Sequence, residues 1–254
     1  MNLFFKIITS LYLLLLLTHT NQLLSQVPAN ELNTILYKKE ISGGVIFHNY
    51  GMGIMFRNGN HITGYTKRFL DIDLITMKHP KEYRIVNDIF ENAKSYIYGK
   101  KNNFYILRTG YGIEHKIFEK YENRGIEIRY GIFAGSSLGL IKPIYLYIIN
   151  NSYSAYEYEL TIEKYDPEKH DLDNIFGRAP FTNGLNELQL QPGIYFKNAF
   201  IFEYSSKKTS NKVNAFELGT IIDIFSKKIP IMAIEKNSNS YLSIYLAFHF
   251  GKKK

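Results

Sequence analysis

An eleven-residue segment near the C-terminus, residues 240–250, alternates strictly between two kinds of side chain. The apolar positions, all on one face of an extended chain, are Leu242, Ile244, Leu246, Phe248 and Phe250. The opposite face carries small, aromatic or polar side chains, so the period of two predicts a β-strand. Its apolar face would be buried in a soluble sheet, whereas in a membrane barrel it would meet lipid.

Residues 1–26 have the composition of a secretory signal peptide, with Lys6 ahead of an apolar run at 11–17 and a polar end near Ser25 and Gln26. The run is too short to span a bilayer comfortably, although an uncut N-terminal anchor is the alternative. The chain has no cysteine, which excludes both a lipid-modified cysteine and disulfides. We therefore expect an exported mature chain, residues 27–254, that is held together by its core and its hydrogen bonds.

The mature chain is basic, because removing Lys6 from a chain of formal charge +8 leaves +7. In an exported protein this sign fits anionic lipid headgroups or acidic glycans better than nucleic acid. No segment after residue 26 has ~18 consecutive apolar residues, so a membrane-embedded form has to be a closed barrel, which satisfies every backbone group in lipid. The expected partners are outer-membrane lipid, lipopolysaccharide and the outer-membrane insertion machinery, with the protein itself a monomer.

The alternation recurs along the mature chain and predicts eight strands in one domain. They are 43–49, 52–57, 62–76, 104–118, 125–140, 188–204, 213–225 and 240–250. The first two are shorter than the ~9–11 residues that a tilted spanning strand needs, and ten strands is the alternative. The fold predicted is all-β, an antiparallel up-and-down transmembrane β-barrel.

The predicted connections differ in length between the two ends of the barrel. Short turns fall at 119–124 and 205–211, whereas long loops at 77–102 and 141–186 join the shorter 227–239 at the opposite end, as is usual in this class of barrel. The first long loop includes a candidate helix at 87–96. The run Asn58-Gly59-Asn60 predicts a hairpin turn.

The faces opposite the apolar ones carry charges of both signs with glycines between them. These candidate lumen residues are Lys67, Asp71, Asp73, Arg108, Glu114, Lys116, Glu127, Arg129, Lys197, Glu203, Glu217 and Asp223. Five basic and seven acidic residues come close to the balance that a filled lumen needs if unpaired buried charges are to be avoided. Glycine makes room in a narrow lumen. We therefore expect lipid outside and a charged, largely filled lumen.

One tract offers metal-ligating side chains in close sequence. They are Asp166, Glu168, His170, Asp171 and Asp173. The calcium-loop pattern needs glycine at its sixth position and glutamate at its twelfth, and counted from Asp166 these positions hold Asp171 and Gly177. The pattern therefore fails, and a solvated or lumen-plugging loop is the better interpretation.

No arrangement of residues predicts an enzyme or a cofactor. Ser243 and His249 share a strand face but lie ~20 Å apart at the rise of an extended chain, so they cannot form one catalytic site. Gly110-Tyr111-Gly112 lies within a strand rather than at a strand-to-helix junction, which does not suit a phosphate cradle.

Several stretches are similar to those of a known group of proteins. They are residues 77–82 (MKHPKE), 125–130 (GIEIRY), 142–146 (KPIYL), 163–170 (EKYDPEKH) and the final strand. In these the chain resembles the uncharacterised outer-membrane β-barrel proteins common in Bacteroidota, and the resemblance covers most of the mature chain. It implies an outer-membrane barrel and carries over no activity.

Three functions are compatible with these patterns. The first is an outer-membrane barrel with a filled lumen and a structural, binding or envelope-assembly role. The second is a narrow porin for small solutes, which needs the same strands around an open lumen. The third is a soluble exported lipocalin-like carrier, in which the apolar faces would line a cavity.

The terminal strand allows the facing of the side chains to be tested. If Phe248 and Phe250 face lipid and help the insertion machinery to recognise the chain, Phe250→Asp should give secreted but unassembled protein, because a charge on the lipid side is costly. His249→Asp should be better tolerated if its side chain points into a wet lumen mouth. The folded band in heat-modifiable gel migration measures both, and an equal loss for the two variants, or a worse loss for His249→Asp, would mean that the strand faces are reversed.

Overall fold

The computed structural model describes residues 37–90, 92–119, 125–154, 157–204 and 211–254. The signal peptide predicted for residues 1–26 lies outside them. So do most of the short turns predicted at 119–124 and 205–211.

The described residues form thirteen β-strands. They are β1 (Lys39–His48), β2 (Gly51–His61), β3 (Thr66–Met77), β4 (Arg84–Ile85), β5 (Tyr96–Ile97), β6 (Asn102–Phe118), β7 (Glu127–Pro143), β8 (Tyr145–Ser154), β9 (Glu157–Lys164), β10 (Ile175–Arg178), β11 (Gln189–Glu203), β12 (Lys212–Phe225) and β13 (Ser240–Lys253). Among the described residues a 3-10 turn lies at Leu185–Glu187. Within the described ranges, no helix has the length and apolar character needed to cross a membrane.

Eight of these strands close into a barrel in the order β1-β13-β12-β11-β7-β6-β3-β2. Every pair is antiparallel, successive barrel strands are neighbours, and β1 closes the barrel against β13, where Glu40 pairs with Lys253. The predicted all-β, antiparallel, eight-stranded barrel is confirmed. The first two strands have 10 and 11 residues rather than the short lengths predicted, so they are long enough to span.

The hairpin turn predicted at Asn58-Gly59-Asn60 is wrong. These residues continue β2 and pair with residues 39–41 of β1. A side chain at Gly59 would have its Cβ 2.3 Å from the ring of Phe69. The position needs glycine because it leaves space for this aromatic ring in the lumen, and not because the backbone turns there. The turn follows at residues 62–65, where the hydroxyl of Thr63 accepts a hydrogen bond of 3.0 Å from the amide of Thr66.

The strand connections distinguish two ends of the barrel. We call the end with the start of β1 and the end of β13 the terminal end, and the opposite one the loop end. The loop end carries the connections 78–101, 144–188 and 226–239. The first contains the β4–β5 hairpin in place of the predicted helix, and the second folds into a small sheet of order β10-β8-β9.

The connection from β12 to β13 closes the barrel at the loop end. Ile229 and Ile231 are buried in the same apolar cluster as Phe104 and the other lumen aromatics. The carbonyl of Ile231 accepts hydrogen bonds of 2.9 and 3.2 Å from the amides of Lys101 and Asn102. This segment, residues 226–239, is therefore a plug that is fastened to the start of β6.

The outer surface of the barrel is apolar on all eight strands. Exposed members of this belt include Val45, Phe47, Ile54, Phe56, Leu74, Ile113, Ile132, Ile194, Phe196, Phe200, Leu218, Ile222, Leu242, Ile244, Phe248 and Phe250. The alternation that predicted the strands thus places the apolar faces outside and the charged faces inside.

The packing role of the lumen glycines can be tested where an aromatic ring occupies the space that a side chain would need. A Cβ at Gly112 would lie 1.9 Å from the ring of Phe133, so Gly112→Ala should destabilise the barrel by ~1–3 kcal/mol through overpacking. Gly64→Ala is the matched control, because no atom lies within 4 Å of a Cβ there. Urea unfolding in detergent, followed by circular dichroism, measures both. Equal midpoints would contradict the packing role of Gly112.

Candidate functional site

Arg57 on β2 is the centre of the charged lumen. Its Nε lies 2.7 Å from a carboxylate oxygen of Asp71, and its Nη1 lies 3.3 Å from Glu114 and 2.5 Å from Glu217. Its guanidinium also lies 4.2 Å from the ring centroid of Phe133. Since β2 and β12 are separated by β1 and β13 in the barrel order, the contact with Glu217 crosses the lumen instead of joining neighbouring strands.

Two further cations complete this central layer. Arg108 makes a two-pronged contact with Asp223, at 2.9 Å from Nε and 2.6 Å from Nη2. The ammonium of Lys197 lies 3.0 Å from Asp73 and also contacts Asp71, which joins it to the Arg57 group. Ion pairs of this geometry are the strong ones, because charged donors and acceptors bond closely and at defined angles. All of these side chains are buried.

Carboxylates outnumber cations in the central layer. Its three cations, Arg57, Arg108 and Lys197, face five carboxylates, those of Asp71, Asp73, Glu114, Glu217 and Asp223. Glu217 also accepts a hydrogen bond from Tyr245. Each cation thus has carboxylate partners within the lumen, which is the condition for burying it.

A second layer of ion pairs lies at the terminal end. Lys67 binds Glu40 at 2.6 Å and lies 3.9 Å from Glu203, which Lys253 contacts at 2.5 Å. His61 lies 3.3 Å from Glu40. This layer joins strands at the start and end of the chain, and so reinforces the closure of β1 against β13.

Three of the charges predicted for the lumen, Lys116, Glu127 and Arg129, lie toward the terminal end and pair with charges close in sequence. Arg129 contacts Glu127 two residues before it on the same strand. Lys116 lies 3.3 Å from Glu119, whose side chain is 41% exposed. Lys116 and Glu119 are thus near the mouth, whereas Arg129 is buried and borders the small lumen cavity.

Several members of the lumen network are absent from the residues predicted for it, among them Glu40 and Arg57. Glu40 precedes the first predicted strand, and Arg57 falls at the last position of the second. The alternation of Met55, Arg57 and Gly59 against Phe56 was the available signal, and the local turn propensity of residues 58–60 obscured it. Both residues become lumen groups because β1 and β2 extend further toward the terminal end.

The lumen between the two layers is nearly full. The cavity there measures about 10 Å³, bounded by Arg57, Lys67, Glu114 and His249 among others. A space of this size holds about one water molecule. The charged face therefore serves as a packed core and offers no room for a solute.

The candidate metal ligands form a self-contained turn. The Nδ1 atom of His170 accepts a hydrogen bond of 3.0 Å from the amide of Asp166, and its Nε2 lies 3.3 Å from Glu163. The carboxylate of Asp166 accepts a bond of 3.1 Å from the amide of Glu168. In the described part of the chain, no cluster of three or more His, Cys, Asp or Glu residues has the arrangement of a metal site.

The side chains of the terminal strand point to the sides that its alternation predicts, but the surroundings of His249 differ from the prediction. Phe248 and Phe250 are 36% and 57% exposed, whereas His249 is 3% exposed and lies 3.0 Å from Glu217. The expectation of a wet lumen mouth at His249 is wrong, because the network fills the lumen there. His249→Asp would place a second carboxylate beside Glu217, so His249→Asn is the better inward-facing control for Phe250→Asp.

Comparison with known proteins adds little to this geometry. No protein-family model matches the chain, and no curated protein matches it. Among solved structures, the chain is similar to the crystal structure of Neisserial surface protein A (NspA), with a TM-score of 0.40 and 9% identity over 86% of this chain and 97% of that one. A likeness this loose carries no argument about the present chain. The resemblance of the sequence to outer-membrane barrel proteins of Bacteroidota stays a prediction.

Removing Arg57 tests the central layer. Arg57→Met leaves Asp71, Glu114 and Glu217 short of their shared cation, and breaking such a buried group costs ~3–5 kcal/mol. Arg68→Met removes the same charge from the exposed face of β3 and should cost well under half of that. Urea unfolding by circular dichroism measures both. Adding Glu217→Gln to Arg57→Met should restore part of the loss, and equal effects of the two arginine variants would contradict the network.

Proposed function

We propose that this protein is a non-conducting outer-membrane β-barrel, in which the lumen is a structural core and the loop end is the working surface. The single observation behind this is the inverted polarity of the barrel, with paired charges inside and an apolar belt outside. In water this arrangement exposes a continuous apolar surface. In lipid it is favourable, because a closed barrel satisfies its backbone internally and presents apolar side chains to the hydrocarbon.

The height of the belt supports a membrane location. From Leu242 to Phe250 on β13 the chain advances ~27 Å along the strand, which a tilt of ~40° reduces to about 20 Å. This is close to the ~25 Å apolar band of outer-membrane barrels. On the outer face, Asn198 donates a hydrogen bond of 2.9 Å to Thr220 on the next strand, so this polar pair satisfies itself within the belt.

The terminal end has the polar outer surface that a headgroup region requires. Asn58, Asn60 and Arg68 are exposed on the outside there. Cationic and amide side chains at this level suit anionic lipid headgroups. Outer-membrane lipid and lipopolysaccharide are the proposed surroundings. The insertion machinery is the proposed reader of Phe248 and Phe250.

The filled lumen favours a structural, binding or envelope-assembly role over the alternatives. A porin needs an open passage, but the ion pairs and the plug at 226–239 occupy it. A lipocalin-like carrier needs apolar faces around a cavity, but those faces lie outside. The described barrel is closed, and a sheet without free edges does not drive strand-to-strand association, which favours a monomer.

Fractionation and conductance test this proposal. We expect the full chain to sediment with outer membranes and to need detergent for extraction, and we expect the purified protein to give no conductance steps in a planar bilayer in potassium chloride. Recovery in the soluble periplasm would end the membrane assignment. Steady channel conductance would end the non-conducting assignment and favour the porin.

A further inference from the structure

The loop end carries a large cleft that the lumen does not explain. It has a volume of about 770 Å³, and its lining includes parts of the β4–β5 hairpin, the β8–β10 sheet and the rims of β6 and β7. A volume of this size is typical of small-molecule sites. Aromatic side chains contribute to its walls, namely Tyr96, Tyr105, Tyr145 and Phe181.

The lining of the cleft is strongly cationic. Its basic members are Lys78, Arg84, Lys94, Lys100, Lys142 and Arg178. Among the described lining residues, Glu82 is the single carboxylate. One of its oxygens lies 2.6 Å from the ammonium of Lys100, and the other accepts a bond of 2.9 Å from the amide of His79. Burial lowers the pKa of Lys100, and its bond to Glu82 opposes this shift.

The Lys100–Glu82 pair therefore accounts for one cation and leaves five. Throughout the described ranges, none of these five has a carboxylate within ion-pair distance. This differs sharply from the lumen, where the cations of the central layer each contact at least one carboxylate. Five cations facing one cavity repel one another, so the cleft carries a positive potential that an anion would relieve.

Lys142, at the end of β7, is the clearest example of a cleft cation without a carboxylate partner in the described residues. It is only 3% exposed, yet its ammonium makes one hydrogen bond, of 3.4 Å, to the carbonyl of Pro143. It also lies 4.8 Å from the ring centroid of Phe181. A buried ammonium with so few partners is costly, and a ligand anion in the cleft would supply what the chain does not.

We propose that this cleft binds a phosphorylated ligand of about saccharide size. The cations would hold the anionic group, with Arg84 and Arg178 able to bind it through two parallel hydrogen bonds. The aromatic walls would contact the remainder of the ligand. The ligand is either a soluble phosphorylated sugar or the phosphorylated headgroup of a glycolipid in the surrounding leaflet. Only the second source rests on the proposed membrane location.

Calorimetric titration of the full mature chain in lipid nanodiscs tests the site. The probes are glucosamine 6-phosphate, inorganic phosphate and uncharged N-acetylglucosamine. We expect the phosphorylated sugar to bind, inorganic phosphate to bind more weakly because it leaves the aromatic walls unfilled, and the uncharged sugar not to bind. Binding of the uncharged sugar with equal affinity, or of none of the three, would overturn the proposal.

Variants separate a binding site from general positive charge. Lys142→Met should weaken binding of the phosphorylated sugar by ~10-fold or more, and it should leave the thermal unfolding midpoint unchanged or raised, because an unpaired buried charge is removed. Lys94→Gln combined with Arg178→Gln should weaken binding similarly. The matched control is Lys227→Gln with Lys228→Gln, two exposed lysines of the loop end outside the cleft. An equal loss in this control, or a Lys142→Met protein that binds normally and unfolds earlier, would sink the proposal.

A competition experiment distinguishes the two sources of the anion. If the glycolipid headgroup is the ligand, nanodiscs containing lipid A should abolish binding of glucosamine 6-phosphate both to the wild-type chain and to the Lys227→Gln, Lys228→Gln control, because both keep the cleft. If the soluble ligand is the natural one, lipid A should have no effect. Since the probe is soluble and the site lies at the loop end, failure here leaves the fractionation result untouched.

Discussion

The structure depends on the requirement that charges enclosed in a barrel have partners. Arg57 meets this requirement for much of the lumen, because it contacts carboxylates from β3, β6 and β12 at once. The contact with Asp71 joins the neighbouring strands β2 and β3, whereas the contacts with Glu114 and Glu217 join strands that backbone hydrogen bonds do not. Shifting one of these strands by a single residue would turn its charged face outward. The ion network and the strand register therefore support each other.

This use of the lumen divides the molecule into a core and a surface with different tasks. Two layers of ion pairs and the plug at 226–239 fill the interior, and an apolar belt covers the outside. Glycines such as Gly112 let rings such as Phe133 enter a narrow space. The barrel is thus held by contacts within its own lumen, and the long connections at the loop end form a separate surface above it.

Arg57 and Lys142 differ in the groups that surround a buried cation, and this difference is the basis for proposing a ligand at the loop end. Both side chains are buried cations, but Arg57 lies among carboxylates, whereas Lys142 contacts a carbonyl and an aromatic ring. The same physical rule applies to both, since a buried charge needs a counter-charge. Inside the barrel the chain provides that counter-charge. In the cleft it provides more cations, which is why a ligand is the natural candidate for the missing partner.

The sequence by itself determined the barrel, because a period of two decides which side chains share a face, and this was sufficient for eight strands and for most of the lumen charges. It could not decide the pairings across the lumen, since Arg57 and Glu217 are 160 residues apart. It also misplaced residues 58–60, where a local turn preference was overruled by pairing with β1. The plug and the basic cleft arose only from tertiary structure, because irregular connections have no periodicity, and the barrel that brings their ends together decides what they contact.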